Sequence, residues 1–190
     1  MIKYLIFDMD GTIIDSSAII SNSINYVREK LGLPKMDKKT ILEAVNDTKI
    51  DKPRFFYGVE EYRQEHLEWF REYYSKNHKK QTVVYTGIKE LLEEIKPYFR
   101  LALATNAHRE SAMQILEALD LKKYFEIIVC ADDVERPKPA PDMIFKIMDY
   151  FGAKREETAL IGDGKTDEEA AKAAGIMFIK VNWGWNSYED

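Results

Sequence analysis

The amino-acid sequence predicts an α/β fold in which a parallel sheet carries helices on both faces and is interrupted once by a helical insertion. Three observations carry that reading. Short apolar runs of strand character recur along the chain. Helical patterns alternate with them from about Gly87 onward, and the segment from Ser16 to Val84 breaks the alternation by reading as helix throughout. Alternation predicts parallel strands, because each crossover helix returns the chain to the same edge of the sheet.

Taken in order, the first strand is predicted at Lys3 to Phe7. The insertion follows, in the pieces "SSAIISNSINYVREKLG", "KKTILEAV" and "VEEYRQEHLEWFREYYSK". Tyr62, His66, Trp69, Phe70, Tyr73 and Tyr74 recur there at helical spacing and read as core against neighbouring helices. After the return at "YTGIKELLEEI", helices are predicted at Ile88 to Tyr98, Glu110 to Leu119, Asp142 to Phe151 and Asp167 to Ala174. Strands between and after them fall at Arg100 to Ala104, Glu126 to Ala131, Thr158 to Ile161 and Ile176 to Val181. The chain thus divides into a core of residues 1–15 and 85–190 and a helical insertion of residues 16–84.

A length of 190 residues with 45% hydrophobic content allows one domain with a real core and a smaller insertion. The lone Cys130, inside the apolar run "EIIVCA", excludes an internal disulfide, reads as packing and suits a reducing compartment. A net charge of -5, with no basic block beyond His78, Lys79 and Lys80, argues against nucleic acid as a partner. That cluster reads as a solvated helix end. "YLIF" is too short for a signal-peptide apolar region, and no stretch approaches a membrane span, so a cytoplasmic protein without a membrane partner is expected. Monomer and homodimer both stay open.

Chemistry gathers where strands should end. In "FDMDGTIID", Asp8 and Asp10 stand two positions apart. A turn needs only one side-chain acceptor, and two like charges this close repel unless a cation or a proton lies between them. Open parallel sheets bind ligands outside their carboxyl ends. The second strand ends in Thr105 and Asn106, the loop after the third carries Lys138 between Pro137 and Pro139, and the fourth ends in "GDGKTD" with Asp163 and Asp167. Acids converging on one edge call for a hard divalent cation, and Mg²⁺ commonly takes one or two carboxylates, waters and a substrate phosphate. The Thr105 hydroxyl, the Asn106 amide, backbone N–H groups near Gly11 and the Lys138 ammonium could hold an anion's oxygens, phosphate being the natural anion. Thr105 and Asn106 also suit capping of the helix that follows.

These four motifs, "DMDGT", "TN", the lysine of "RPKPAPD" and "GDGKTD", resemble in type and order those of the haloacid dehalogenase superfamily across nearly the whole chain. The resemblance implies a Rossmann-like three-layer core with a five-stranded parallel sheet of order 5-4-1-2-3 and a helical cap inserted after the first motif. It implies that Asp8 is the nucleophile of an aspartyl-phosphate and Asp10 the general acid and base. It places a Mg²⁺ ion on the Asp8 carboxylate, the Asp10 backbone carbonyl and Asp163, with Asp167 supporting that shell and orienting Lys138. The substrate phosphate would lie against Gly11, Thr105, Asn106 and Lys138.

Asp10 argues against a dehalogenase, since displacing halide from carbon needs no acid for the leaving group. The helical insertion, the "YTGIKELLEEI" return and the late "VNWGW" resemble the phosphoglycolate phosphatase and beta-phosphoglucomutase branch, so the expected partner is a small phosphorylated metabolite. The loop "VNDTKIDKPRFFYGVEEY" departs from the Gly-Pro pattern frequent in that branch. Its Lys49, Lys52, Arg54 and Tyr57 either meet an anionic leaving group or lie on a solvated loop. A phosphomutase is the nearer alternative. A receiver-like signalling module is the farther one; it would put the phosphorylated aspartate after strand three, where Asp132 and Asp133 stand.

Overall fold

The structure is a computed structural model that describes residues 1–184, so Trp185 of "VNWGW" lies outside the described residues. The chain divides into two compact units, one formed by residues 1–15 with the chain from residue 83 onward and the other by residues 16–82. The return therefore comes at Val83 rather than at residue 85. Its cause is a two-stranded ribbon that the helical reading of this segment missed: β2 (Ile14–Asp15) pairs antiparallel with β3 (Val83–Val84), setting Ile14 against Val84 and Asp15 against Val83. The ribbon satisfies the backbone where the chain leaves the first unit and returns to it.

In the first unit, β1 (Tyr4–Phe7), β4 (Arg100–Ala104), β5 (Ile127–Val129), β6 (Thr158–Gly162) and β7 (Met177–Lys180) pair in the order β5-β4-β1-β6-β7, every pair parallel. The labels differ from the expected order because the ribbon strands intervene. Counted within the large sheet and read from its other edge, the order is the expected one. Register fixes the site. Phe7 lies level with Leu103 on β4 and with Ile161 on β6, so Asp8, Thr105 and Asp163 leave the sheet side by side at its carboxyl edge.

Ile6, Ala102, Ala104, Val129 and Leu160 form one face of the sheet and are buried with Met143, Ile144 and Ile147 of α7 (Asp142–Phe151) and Ala170, Ala171 and Ala174 of α8 (Lys165–Ala174). The alternate positions Leu5, Phe7, Leu101 and Leu103 are buried on the opposite face. The two remaining helices of this unit, α5 (Ile88–Ile95) and α6 (Arg109–Ala118), bury Ile88 and Leu92, and Ala112, Ile115 and Leu116, respectively. α5 ends three residues before Tyr98: Lys96 still has helical backbone, but Pro97 has no N–H with which to continue the helix. α8 starts two residues before the expected Asp167, whose carboxylate reaches back to accept from the Gly164 N–H at 3.2 Å.

The second unit consists of α1 (Ser17–Lys30), α2 (Lys38–Asn46), α3 (Lys52–Tyr57) and α4 (Gln64–Gln81). Its core gathers Ile24, Val27, Ile41, Ala44, Phe56 and Tyr57, with Trp69 and Phe70 packed against it. Tyr57 is thus a core residue and not a loop residue meeting a leaving group. Within the aromatic stripe, His66 and Tyr74 are buried, whereas Tyr62, just before α4, is exposed. His78 also departs from the solvated helix end expected of it. It is buried, with Nδ1 3.1 Å from the Tyr74 carbonyl, and only Lys79 and Lys80 face water. Among the described residues no helix is long and apolar enough to cross a membrane.

Leu160 is fully buried between β1 and α7–α8, so Leu160→Ala is expected to destabilise the fold by about 2–5 kcal/mol. Urea unfolding would show a lower midpoint with an unchanged slope.

Candidate functional site

The turn after β1 is wound around one carbonyl: the N–H groups of Thr12, Ile13 and Ile14 all point to Met9 O. Gly11 makes this winding feasible. Its φ is 81°, and a Cβ there would stand 2.5 Å from Asp163 Oδ2. Gly11 N donates to Ile14 O at 2.8 Å, so its N–H closes the turn rather than facing an anion.

Asp8, Lys138, Asp163 and Asp167 are each at most 7% exposed and converge beyond the carboxyl edge of β1, β4 and β6. Lys138 organises them. Its ammonium donates to Asp8 Oδ1 at 2.6 Å, to Asp167 Oδ1 at 2.6 Å and to the Ala104 carbonyl at 2.8 Å, which uses its three hydrogens. Thr12, which sequence reasoning did not single out beyond its place in "DMDGT", lies between the acids. Its hydroxyl is 3.1 Å from Asp163 Oδ1 and 3.5 Å from Asp8 Oδ2.

Asn106 stands elsewhere than on an anion's oxygens. Its side-chain amide donates to Lys138 O at 2.7 Å and accepts from Lys138 N at 3.0 Å, forming a two-bond clamp that fixes the backbone under the ammonium. Thr105 is fully buried, and its hydroxyl oxygen accepts from Ala107 N at 3.1 Å while keeping its own hydrogen to donate. Neither residue caps α6. That helix begins after His108, and its first N–H, from Arg109, goes to Asp132 Oδ1 at 2.8 Å. Asp133 accepts from the Arg109 guanidinium and from Cys130 N, so the acids after β5 tie loops together. Burial pushes the Cys130 thiol up to about 11, which leaves it a packing residue.

One carboxylate oxygen from each of Asp8, Asp163 and Asp167 lies within 4.8 Å of the other two. Asp167, expected to support the shell, is therefore part of the group itself. Asp10 is not in this group; it is half-buried, and its charge adds to the repulsion felt by Asp8. Burial, then the Asp167 charge, drives the Asp8 carboxyl well above the usual range against the pull of Lys138. Burial and Asp167 likewise push Asp163 up to about 7. Lys138 is held above its ordinary value: burial works against its charge, but Asp167 and Asp8 outweigh it. Three buried carboxylates face one ammonium, and their donor set is all oxygen. That set fits a hard divalent cation.

Comparison with known proteins identifies the family. The sequence model of the haloacid dehalogenase-like hydrolases matches residues 5–181, and the chain belongs to that family. Within it the chain groups with phosphatases. It is 32% identical over 184 residues to the pyrophosphatase PpaX of Halalkalibacterium halodurans, covering 96% of this chain and 84% of that protein. It is 30% identical over 190 residues to the phosphoglycolate phosphatase of Aquifex aeolicus, covering 96% and 86%. The structure of a haloacid dehalogenase-like family hydrolase from Streptococcus pneumoniae superposes with a TM-score of 0.82 at 27% identity, covering 97% of this chain and 86% of that one.

The raised carboxyls give a pH prediction for the protein in chelator. Asp163 binds its proton more tightly folded than unfolded, so its contribution to stability is fully present below about 3.8 and is lost as pH rises through about 7. Thermal unfolding should therefore show a falling Tm across that window, and Asp163→Asn should flatten the fall.

Proposed function

We propose that this phosphatase hydrolyses a small, phosphoglycolate-like phosphate monoester through an aspartyl-phosphate on Asp8. The observation that carries the reading is the Asp8 carboxylate at the end of β1, fixed by the Lys138 ammonium at 2.6 Å and flanked by Asp163 and Asp167. An acyl-phosphate intermediate divides one difficult displacement into two easier ones.

An Asp8 carboxylate oxygen attacks phosphorus, the bond to the ester oxygen breaks, and that oxygen leaves as an alcohol with a proton from Asp10. Asp10 then takes a proton from a water that attacks the same phosphorus, which releases inorganic phosphate and restores the Asp8 carboxylate. Lys138 holds Asp8 in place for both halves and supplies positive charge beside the oxygens of the transferring group. Thr105 donates its hydroxyl hydrogen to a phosphate oxygen, and Asn106 serves the same end through the Lys138 backbone. Mg²⁺, held by Asp8, Asp163 and the Asp10 backbone carbonyl with Asp167 beside them, would neutralise charge so that an anionic substrate can approach the acids.

Similarity to the PpaX pyrophosphatase favours inorganic pyrophosphate as a second reading, in which phosphate rather than an alcohol departs. The helical unit gives support to the cap expected from the resemblance through its separate core, and Lys49 and Arg54 remain exposed there. On this reading the enzyme acts in the cytoplasm on a small phosphorylated metabolite, with neither nucleic acid nor membrane as a partner.

Phosphate release from a panel of monoesters and pyrophosphate, with Mg²⁺ and with chelator, tests the proposal. Magnesium-dependent release concentrated on one compound is expected. Release that requires a sugar bisphosphate activator would indicate a phosphomutase instead. Asp8→Asn should lower turnover more than about a thousandfold while leaving Tm unchanged or higher; near-normal turnover would remove Asp8 from the nucleophile role.

A further inference from the structure

After β7 the chain turns back across the carboxyl edge, where Val181 N donates to Gly162 O at 2.9 Å. This brings Trp183 and Gly184 over the turn that follows β1. The Trp183 indole Nε1–H donates to the Thr12 carbonyl at 2.9 Å. Gly184 lies so close that a Cβ on it would stand 2.4 Å from Asp163 Cβ and 2.5 Å from Gly11 O. Thr12 is 1% exposed, and its hydroxyl lies nearer Asp163 than Asp8. One hydroxyl hydrogen cannot serve both acids, and the 3.1 Å contact is the better placed.

We infer that Trp183 is a positioning residue for the cation-binding acids, acting through Thr12. The indole N–H fixes the Thr12 peptide from outside the cluster, and the Thr12 hydroxyl transmits that placement to Asp163. The turn's own bonds, three N–H groups on Met9 O and Gly11 N on Ile14 O, leave the Thr12 carbonyl pointing outward, and the indole is what engages it from the chain after β7. Groups that orient a metal-binding carboxylate without touching the ion commonly set its affinity. Trp183 is 40% exposed, so its ring is not part of the buried core.

The inference rests on the proposed Mg²⁺ site, and its test separates the two. Mg²⁺ binding, measured by titration calorimetry without substrate, is compared for the wild type, Trp183→Phe, Thr12→Val and the double variant. Trp183→Phe keeps an aromatic ring and removes only the N–H donor. It should weaken Mg²⁺ binding about three- to tenfold, with Tm in chelator unchanged. In the Thr12→Val background the same substitution should have little further effect, because the transmitting hydroxyl is gone; Thr12→Ser should restore wild-type binding. Wild-type affinity in Trp183→Phe would overturn the inference while leaving the metal site intact. Equal weakening by Trp183→Phe with and without the Thr12 hydroxyl would also overturn it. A wild-type protein that binds no Mg²⁺ would overturn both readings.

Discussion

The site depends on one ammonium group held among carboxylates. Lys138 is buried with its three hydrogens directed at Asp8, Asp167 and the Ala104 carbonyl. A buried ammonium is tolerable only with such partners, and Asp8 and Asp167 could not be buried so close together without a cation between them. The balance is still incomplete, because Asp163 adds a third buried carboxyl, and Asp8 and Asp163 respond by rising above their usual range. A cluster that holds excess negative charge in a dry, oxygen-lined space is prepared for a cation, and with it for an anionic group that the acids alone would repel.

The parallel sheet is what makes that concentration feasible. Residues far apart in sequence, Asp8 and Lys138 separated by 130 positions and Thr12 and Asp163 by 151, meet because neighbouring strands in register end at one edge. The loops are then fastened to one another. Asn106 grips the Lys138 backbone, Arg109 ties the helix after β4 to Asp133 after β5, and Trp183 ties the chain after β7 to Thr12 after β1. Placement of the acids is thus a property of several loops together, and rigid placement is what phosphoryl transfer asks of a protein.

Much of this was legible in the sequence because its signals are local. Apolar runs bounded by acids and glycines located the five long strands, and α7 was placed to the residue. The acids and Lys138 were visible because each stands where a strand or its following loop presents it. Signals for α3 also lie within the loop "VNDTKIDKPRFFYGVEEY": Asp51 caps its start, Pro53 lies in its first turn and Gly58 adopts the left-handed conformation at its end. The ribbon was less legible, since two residues per strand are too few for a period to show. The engagement of Asn106 with the Lys138 backbone, the packing of Gly184 on Asp163 and the burial of His78 are tertiary facts. Nothing in the neighbouring residues specifies them, and the same side chains would suit an anion, a loop or solvent equally well.

The central claim is that Asp8 carries the phosphoryl group, and the most direct measurement is acid-quenched turnover with a substrate labelled in its phosphate, followed by peptide mapping. The account predicts label on the peptide containing Asp8, chased off by unlabelled substrate at a rate no slower than turnover. Turnover that leaves no label on the protein, or label mapped to another residue, would contradict it.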